Sequence, residues 1–234
     1  MPEAWAELFG PLCKPSVVVG QIGQSIDGRI ATESGHSHYI NGPDGLDHLH
    51  RLRALMDAVV IGVGTAIADD PQLTVRRVAG RNPARVVIDP SGRLSATARL
   101  LEDERTAVIL FTKRGVRPLF SSRIQHLPIM PEEGVMAPGG ILGALTNLGL
   151  NRVLIEGGAN TVSRFLAADC LDRLHIMVAP VLFGSGPAGV TLPPIMRAGD
   201  AMRPPIKVHT IGEEVLFDCD LSVQRAGGRA KKST

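Results

Sequence analysis

Residues 57–76, DAVVIGVGTAIADDPQLTVR, gather side chains suited to chemistry: Asp69 and Asp70 side by side, and Arg76 a few positions on. Carboxylates accept hydroxyl or N–H groups, and an arginine holds a phosphate through paired N–H bonds. Gly62 and Gly64 just before them let a ligand approach the backbone, and Thr65 is placed as N-cap of a turn over residues 66–68. Pro71 then ends the turn. A plain strand, glycine turn and helix would share this spacing, so the segment alone leaves both readings open.

A second candidate is Glu156-Gly157-Gly158-Ala159-Asn160-Thr161, between a strand at 152–155 and a helix at 162–168. A glycine pair at a helix N-terminus presents backbone N–H groups to a phosphate, although many strand-to-helix turns use glycine and this is not the G-x-G-x-x-G spacing. Lys113 and Arg114 close a strand at 106–111. They could neutralise a phosphate, including the 2′-phosphate that separates NADP from NAD, and a solvated turn fits them equally well. His36 and His38, like His48 and His50, are spaced i, i+2 and share a side only in extended chain. No third ligand stands nearby, so hydrogen-bonded or solvated histidines are expected and no metal site.

These residues need a scaffold that brings strand ends together. The run 58–61 is too short for a helix and rich in β-branched residues, as a strand buried on both faces requires. Similar runs occupy 16–19, 85–88, 106–111, 152–155 and 174–179, with an edge strand interrupted by Pro128 at 124–129. Helical patterns fill 43–56, with Leu46, Leu49, Leu52 and Leu55, and 138–149, with Ile141, Leu142, Leu145 and Leu148. Residues 206–211 and 215–221, joined through Gly212-Glu213-Glu214, read as an antiparallel hairpin. Alternating strands and helices predict an α/β fold with a mostly parallel central sheet covered on both faces and a C-terminal antiparallel hairpin. Glycine loops at several strand ends suggest an extended ligand such as a dinucleotide.

The chain has 234 residues, 44% hydrophobic but only 3% aromatic, so its core is aliphatic and offers no aromatic platform for nucleic acid. The formal charge of +2 gives no basic face. Three dispersed cysteines without a CxxC pair suit free thiols, and no apolar run is long enough to cross a membrane; a cytoplasmic protein is expected. Residues 1–15 form an unassigned N-terminal extension, and 225–234 a flexible basic tail.

Six motifs occur in order: Ser25-Ile26-Asp27-Gly28-Arg29-Ile30-Ala31, Gly35-x-Ser37-x-Tyr39-Ile40, Leu52-Arg53, Thr65-x-x-Ala68-Asp69-Asp70-Pro71-x-Leu73-Thr74-Val75-Arg76, Val87-Ile88-Asp89 and Glu156-Gly157-Gly158. Together they resemble the reductase domain of riboflavin biosynthesis, the dihydrofolate-reductase-like family that reduces a ribosylamino-pyrimidine phosphate with NADPH. The resemblance implies a three-layer dihydrofolate-reductase-like fold over 16–224 and a homodimer. It implies NADPH contacts at Gly23, Tyr39, Thr65, Asp69 and the backbone of Gly157, Gly158, Ala159, Asn160, Thr161 and Val162. It places Ser37, Arg53, Leu73, Arg76 and Glu156 on the phosphorylated pyrimidine, with Asp69 or Glu156 as proton source. The H-x-E and P-C-x-x-C motifs of a zinc deaminase are lacking, so a deaminase would be a separate protein. Gln21 stands where many relatives have a lysine, and Tyr39 where they have a tryptophan. A pterin or dihydrofolate substrate, or a non-catalytic nucleotide-binding module, is the alternative reading.

Overall fold

The computed structural model describes residues 3–37, 40–116, 124–129 and 136–231. In chain order the elements are α1 (Glu3–Phe9), β1 (Val17–Ser25), α2 (Pro43–Leu55), β2 (Ala58–Gly62), α3 (Val63–Asp69), β3 (Ala84–Ile88), β4 (Val108–Lys113), β5 (Ile124–Ile129), α4 (Pro138–Asn147), β6 (Arg152–Glu156), α5 (Ala159–Ala167), β7 (Arg173–Ala179), β8 (Ile206–Ile211), β9 (Glu214–Asp220) and α6 (Ser222–Lys231). The strands form one nine-stranded sheet in the order β5-β4-β3-β2-β6-β1-β7-β9-β8. All neighbours from β5 to β7 are parallel, and β9 and β8 join antiparallel. This is the mostly parallel sheet with a closing hairpin that the alternation predicts.

The apolar runs divide their side chains between two cores. Val59 and Ile61 of β2 pack with Val17, Val87 and Leu154 under α2 and α3. Ala58 and Val60 pack with Val18, Val86 and Ile155 against Ile141 and Leu145 of α4 and Val162 and Phe165 of α5. The central strands β1, β2, β3 and β6 are therefore buried on both faces, which is why their sequences are continuous and not alternating. Among the described residues, no helix is long and apolar enough to cross a membrane.

Four local expectations are corrected. Thr65 does not cap a turn: α3 begins at Val63 with Gly62 as N-cap, so Thr65 lies inside the helix. Helix α5 starts at Ala159, not Val162, which places residues 159–161 in its first turn. The N-terminal segment is core and not an appendage, since Leu8, Phe9 and Leu12 are buried with Val17 and Leu52. The chain after 224 continues as α6 to Lys231, anchored by a buried Arg225 paired with Asp172. A guanidinium with a carboxylate partner can be buried where a lone one cannot, and the string of basic letters conceals that partner.

Candidate active site

The strand order creates the site. The chain runs outward from β1 through β2 to β5, then returns to insert β6 between β2 and β1. Connections thus diverge beyond the carboxyl ends of β2, β6 and β1, and open α/β sheets bind ligands in that crevice. A cleft of about 950 Å³ occupies it, lined by Gly23 of β1, Gly62 of β2, Thr65 and Asp69 of α3, and Gly157 and Gly158 after β6. Its volume is at the top of the usual range for small-molecule sites, near 1,000 Å³, as an extended ligand requires.

Two loops interlock at its centre. A Cβ built on Gly62 would stand 2.6 Å from Thr161 Oγ1, and one on Gly158 would fall on Thr65 Oγ1. Gly157 and Gly158 have φ of 60° and 61°, a left-handed conformation that glycine adopts without strain. Gly158 O accepts from the amides of Thr161, 2.9 Å, and Val162, 3.3 Å. This leaves the Ala159 and Asn160 amides as first-turn donors of α5, whose dipole also favours an anion. Thr65 and Thr161 add hydroxyls beside them, a donor set that fits a pyrophosphate.

Of the expected cofactor contacts, Gly23, Thr65, Asp69, Gly157, Gly158, Ala159, Asn160 and Thr161 line the cleft, as does Ser37. Val162, expected through its backbone, is not among the lining residues: its amide donates to Gly158 O, and its side chain is buried in the core beside Phe165. Tyr39 lies outside the described residues. Lys113 ends β4, two strands from β2, and is not among the described lining residues. Strand spacing of roughly 4.8 Å puts it about 10 Å to the side. The lining cations are instead Arg93, in the loop after β3, and Arg164 of α5. The signal for Arg93 lies in Asp89-Pro90-Ser91-Gly92-Arg93, a strand-end loop whose adjacency to β2 only the strand order reveals.

Asp69, exposed at the end of α3, lies 3.5 Å from the Ser37 hydroxyl, which donates to it. Beyond it the loop is held by two non-glycine residues at positive φ, Asp70 at 39° and Leu73 at 54°. Leu73 is 1% exposed, packed in the core under α3, and not part of the described cleft. Its unusual backbone is maintained by that burial and aims Thr74–Arg76.

Arg53 and Glu156, both expected on the substrate, hold each other. Arg53 Nε donates to Glu156 Oε2 at 2.7 Å, Nη2 donates to Oε1, and Nη1 donates to Thr74 O at 3.0 Å. Both side chains are buried and neither lines the described cleft. Arg53 is therefore not open for a phosphate, because a buried carboxylate needs its partner. Arg76 is exposed and is not among the lining residues of the described cleft; among the described residues its side chain makes only a 3.3 Å bond from Nη1 to Thr74 Oγ1, while its amide donates to His50 Nδ1 at 3.1 Å. Partial desolvation of its head group, followed by the cationic Arg53, Arg99 and Arg77, lowers the Arg76 guanidinium below its ordinary pKa. A bound anion would relieve that crowding.

The histidines of α2 face different ways, as a helix dictates. His48 Nε2 lies 3.2 Å from His175 Nδ1, and His175 Nε2 lies 3.2 Å from Asp218 Oδ1, all buried. Among the described residues no group of three side chains could hold a metal ion.

Residues 16–216 match the model of the RibD C-terminal domain family. The chain belongs to this family. It is 31% identical over 216 residues to the 2,5-diamino-6-ribosylamino-4(3H)-pyrimidinone 5′-phosphate reductase of Methanothermobacter thermautotrophicus, covering 88% of this chain and 97% of that one. It is 32% identical over 164 residues to the riboflavin biosynthesis protein RibD of Aquifex aeolicus, covering 70% of this chain and 46% of that one. The solved deaminase/5-amino-6-(5-phosphoribosylamino)uracil reductase of Thermotoga maritima superposes with a TM-score of 0.76 at 27% identity, over 88% of this chain and 56% of that one. The chain thus spans about half of the bifunctional RibD relatives and nearly all of the archaeal reductase.

Proposed function

We propose that this RibD-family chain is an NADPH-dependent reductase that converts the ribosyl group of 5-amino-6-(5-phosphoribosylamino)uracil, or of its diamino-pyrimidinone precursor, into ribityl. The observation that carries the reading is the interlocked cradle at the switch point, Gly62 against Thr161 and Gly158 against Thr65. It is shaped to bring backbone amides and hydroxyls onto a pyrophosphate, and the near full-length archaeal relative is named as such a reductase.

When bound, NADPH supplies a hydride, here to the sugar C1′ of a ring-opened or imine form. The chain's own residues bind and orient. The first-turn amides of α5 with Thr65 and Thr161 hold the pyrophosphate, and Arg93 takes the 2′-phosphate. Arg76 holds the substrate phosphate, with the Arg53–Glu156 pair fixing the backbone of Thr74 behind it. Both Glu156 oxygens accept from Arg53, so Asp69, exposed to the cleft, is assigned the proton that completes the reduction. Stacking reactants in one cleft accounts for the rate largely through orientation.

The test is NADPH oxidation by the purified protein with each precursor and with dihydrofolate. Turnover with either precursor and none with dihydrofolate is expected; the reverse pattern would transfer the reading to a folate- or pterin-type substrate. We also assign a homodimer, supported by Ile206 and Val208, which are 51% and 60% exposed on edge strand β8. Light scattering on the same preparation should give twice the chain mass.

A further inference from the structure

Asn41 lines the cleft, and no motif in the sequence singles it out. Its carboxamide is wedged between two strands. Nδ2 donates to Glu214 Oε1 of β9 at 2.7 Å, while Oδ1 rests against Gly23 of β1, where a Cβ would overlap it. Which end of the amide faces which strand follows from its partner. Glu214 is 2% exposed, accepts also from the Gly42 amide at 3.2 Å, and stands at the N-terminus of α2, whose partial positive charge favours a carboxylate. A carboxylate accepts and cannot donate, so Asn41 must turn its NH2 to Glu214 and its carbonyl oxygen toward Gly23. The β1 wall of the cleft therefore presents a fixed acceptor.

The lining residues set what meets it. Arg93 lies beyond β3, the glycine cradle between β2 and β6, and Gly23 with Asn41 at β1, in that order across the sheet. A dinucleotide with its 2′-phosphate on Arg93 and its pyrophosphate on the cradle directs its nicotinamide to the β1 side. We infer that Asn41 Oδ1 accepts a hydrogen bond from the carboxamide N–H of the bound nicotinamide, and that Glu214 is the positioning residue that fixes this orientation. The inference rests on the NADPH reading above.

The test pairs two cofactors with three proteins. The 3-acetylpyridine analogue of NADPH carries a methyl ketone in place of the carboxamide and has no N–H to offer. The wild-type chain should bind it roughly tenfold more weakly than NADPH, the value of one good hydrogen bond. Asn41→Ala should bind NADPH as weakly as the analogue, so the difference disappears. Glu214→Gln, which can donate to Asn41 and let the amide turn over, should also lose most of the difference. Adenosine 2′,5′-bisphosphate, which reaches only the far end, should bind all three proteins equally and so report an intact cleft. A tenfold preference that survives in both variants, or none in the wild type, would overturn the inference while leaving the cofactor reading in place. A wild type that binds neither dinucleotide nor the bisphosphate would remove the cofactor reading itself, and the inference with it.

Discussion

Two arginines twenty-three positions apart in the sequence, Arg53 and Arg76, present the same letter in very different surroundings. Arg53 is 5% exposed and neutralises a buried Glu156, whereas Arg76 is exposed and lacks a bonded carboxylate among the described residues. Removing one member of a buried pair strands the other charge at a cost of about 3–5 kcal/mol, a large part of a typical folding free energy. Arg53→Ala is therefore expected to lower the melting temperature by on the order of 10 °C, as differential scanning calorimetry would show. Arg76→Ala should leave melting within about 1 °C, since exposed side chains away from packed features contribute little. Its effect should fall on the substrate: loss of a charge-assisted phosphate contact is expected to raise KM roughly tenfold to a hundredfold with NADPH affinity unchanged. If NADPH affinity fell instead, Arg76 would belong to the cofactor site.

At the scale of elements, α2 is the member that ties the cleft to the sheet, and Gly45 shows what that requires. A Cβ at Gly45 would fall on the Glu214 carboxylate, with Oε1 at 3.0 Å and Oε2 nearer. Helix propensity alone would favour alanine there by at most about 1 kcal/mol. Against it stands a buried carboxylate that must leave its bonds to Asn41 and Gly42, each on the order of 1.5–3 kcal/mol for a charged partner. The second effect is larger, so Gly45→Ala should destabilise the protein and weaken NADPH binding together; a rise in melting temperature would show that α2 does not depend on Glu214. None of this was legible in the sequence, and the reason is geometric. Leu46, Leu49, Leu52 and Leu55 predict an apolar face, but a spacing of three falls about 60° short of a full turn at each step, so the series winds round the helix. Only Leu52 is fully buried, and the helix instead buries Gly45, His48, His50 and Arg53. Strands, by contrast, are legible, because continuous β-branched runs have few alternatives, and the glycine-rich ends of β2 and β6 mark the cleft in the sequence itself. Which strand ends are neighbours is a property of the sheet order, and so the sequence alone does not point to Arg93, which lines the cleft, and points to Lys113, which is not among its described lining residues.

For the whole molecule, those buried polar side chains of α2 set the response to acid. His48 contacts His175 and the Phe9 ring, and burial, then the neighbouring His175 and Arg51, lowers it well below the ordinary imidazole pKa. His50 is pushed down to about 4 by burial and by Arg53, Arg76 and Arg77. A histidine depressed on folding binds fewer protons folded than unfolded, so its contribution is complete above the unfolded pKa near 6.5 and is lost as pH falls below it. For His50 the window runs from about 6.5 to about 4 and is worth on the order of 3 kcal/mol. His48 adds in the same direction. The carboxylates act later. Asp27, held down to about 2 by the Ser25 hydroxyl and the Phe183 and Gly184 amides, loses its contribution only as pH falls from 3.8. In Asp218, burial alone would raise the pKa, but bonds to His175 and Arg173 hold it well below the usual range. Melting temperature should therefore be level between pH 7 and 8 and fall steadily below about 6.5, well before ordinary carboxylates titrate. His50→Asn, which keeps an acceptor for the Arg76 amide, should flatten that decline by about one proton; an unchanged slope would assign the loss to His48 alone. Because His50 accepts from the amide of Arg76, the decline should appear first as a higher KM for the phosphorylated substrate and only afterwards as global unfolding.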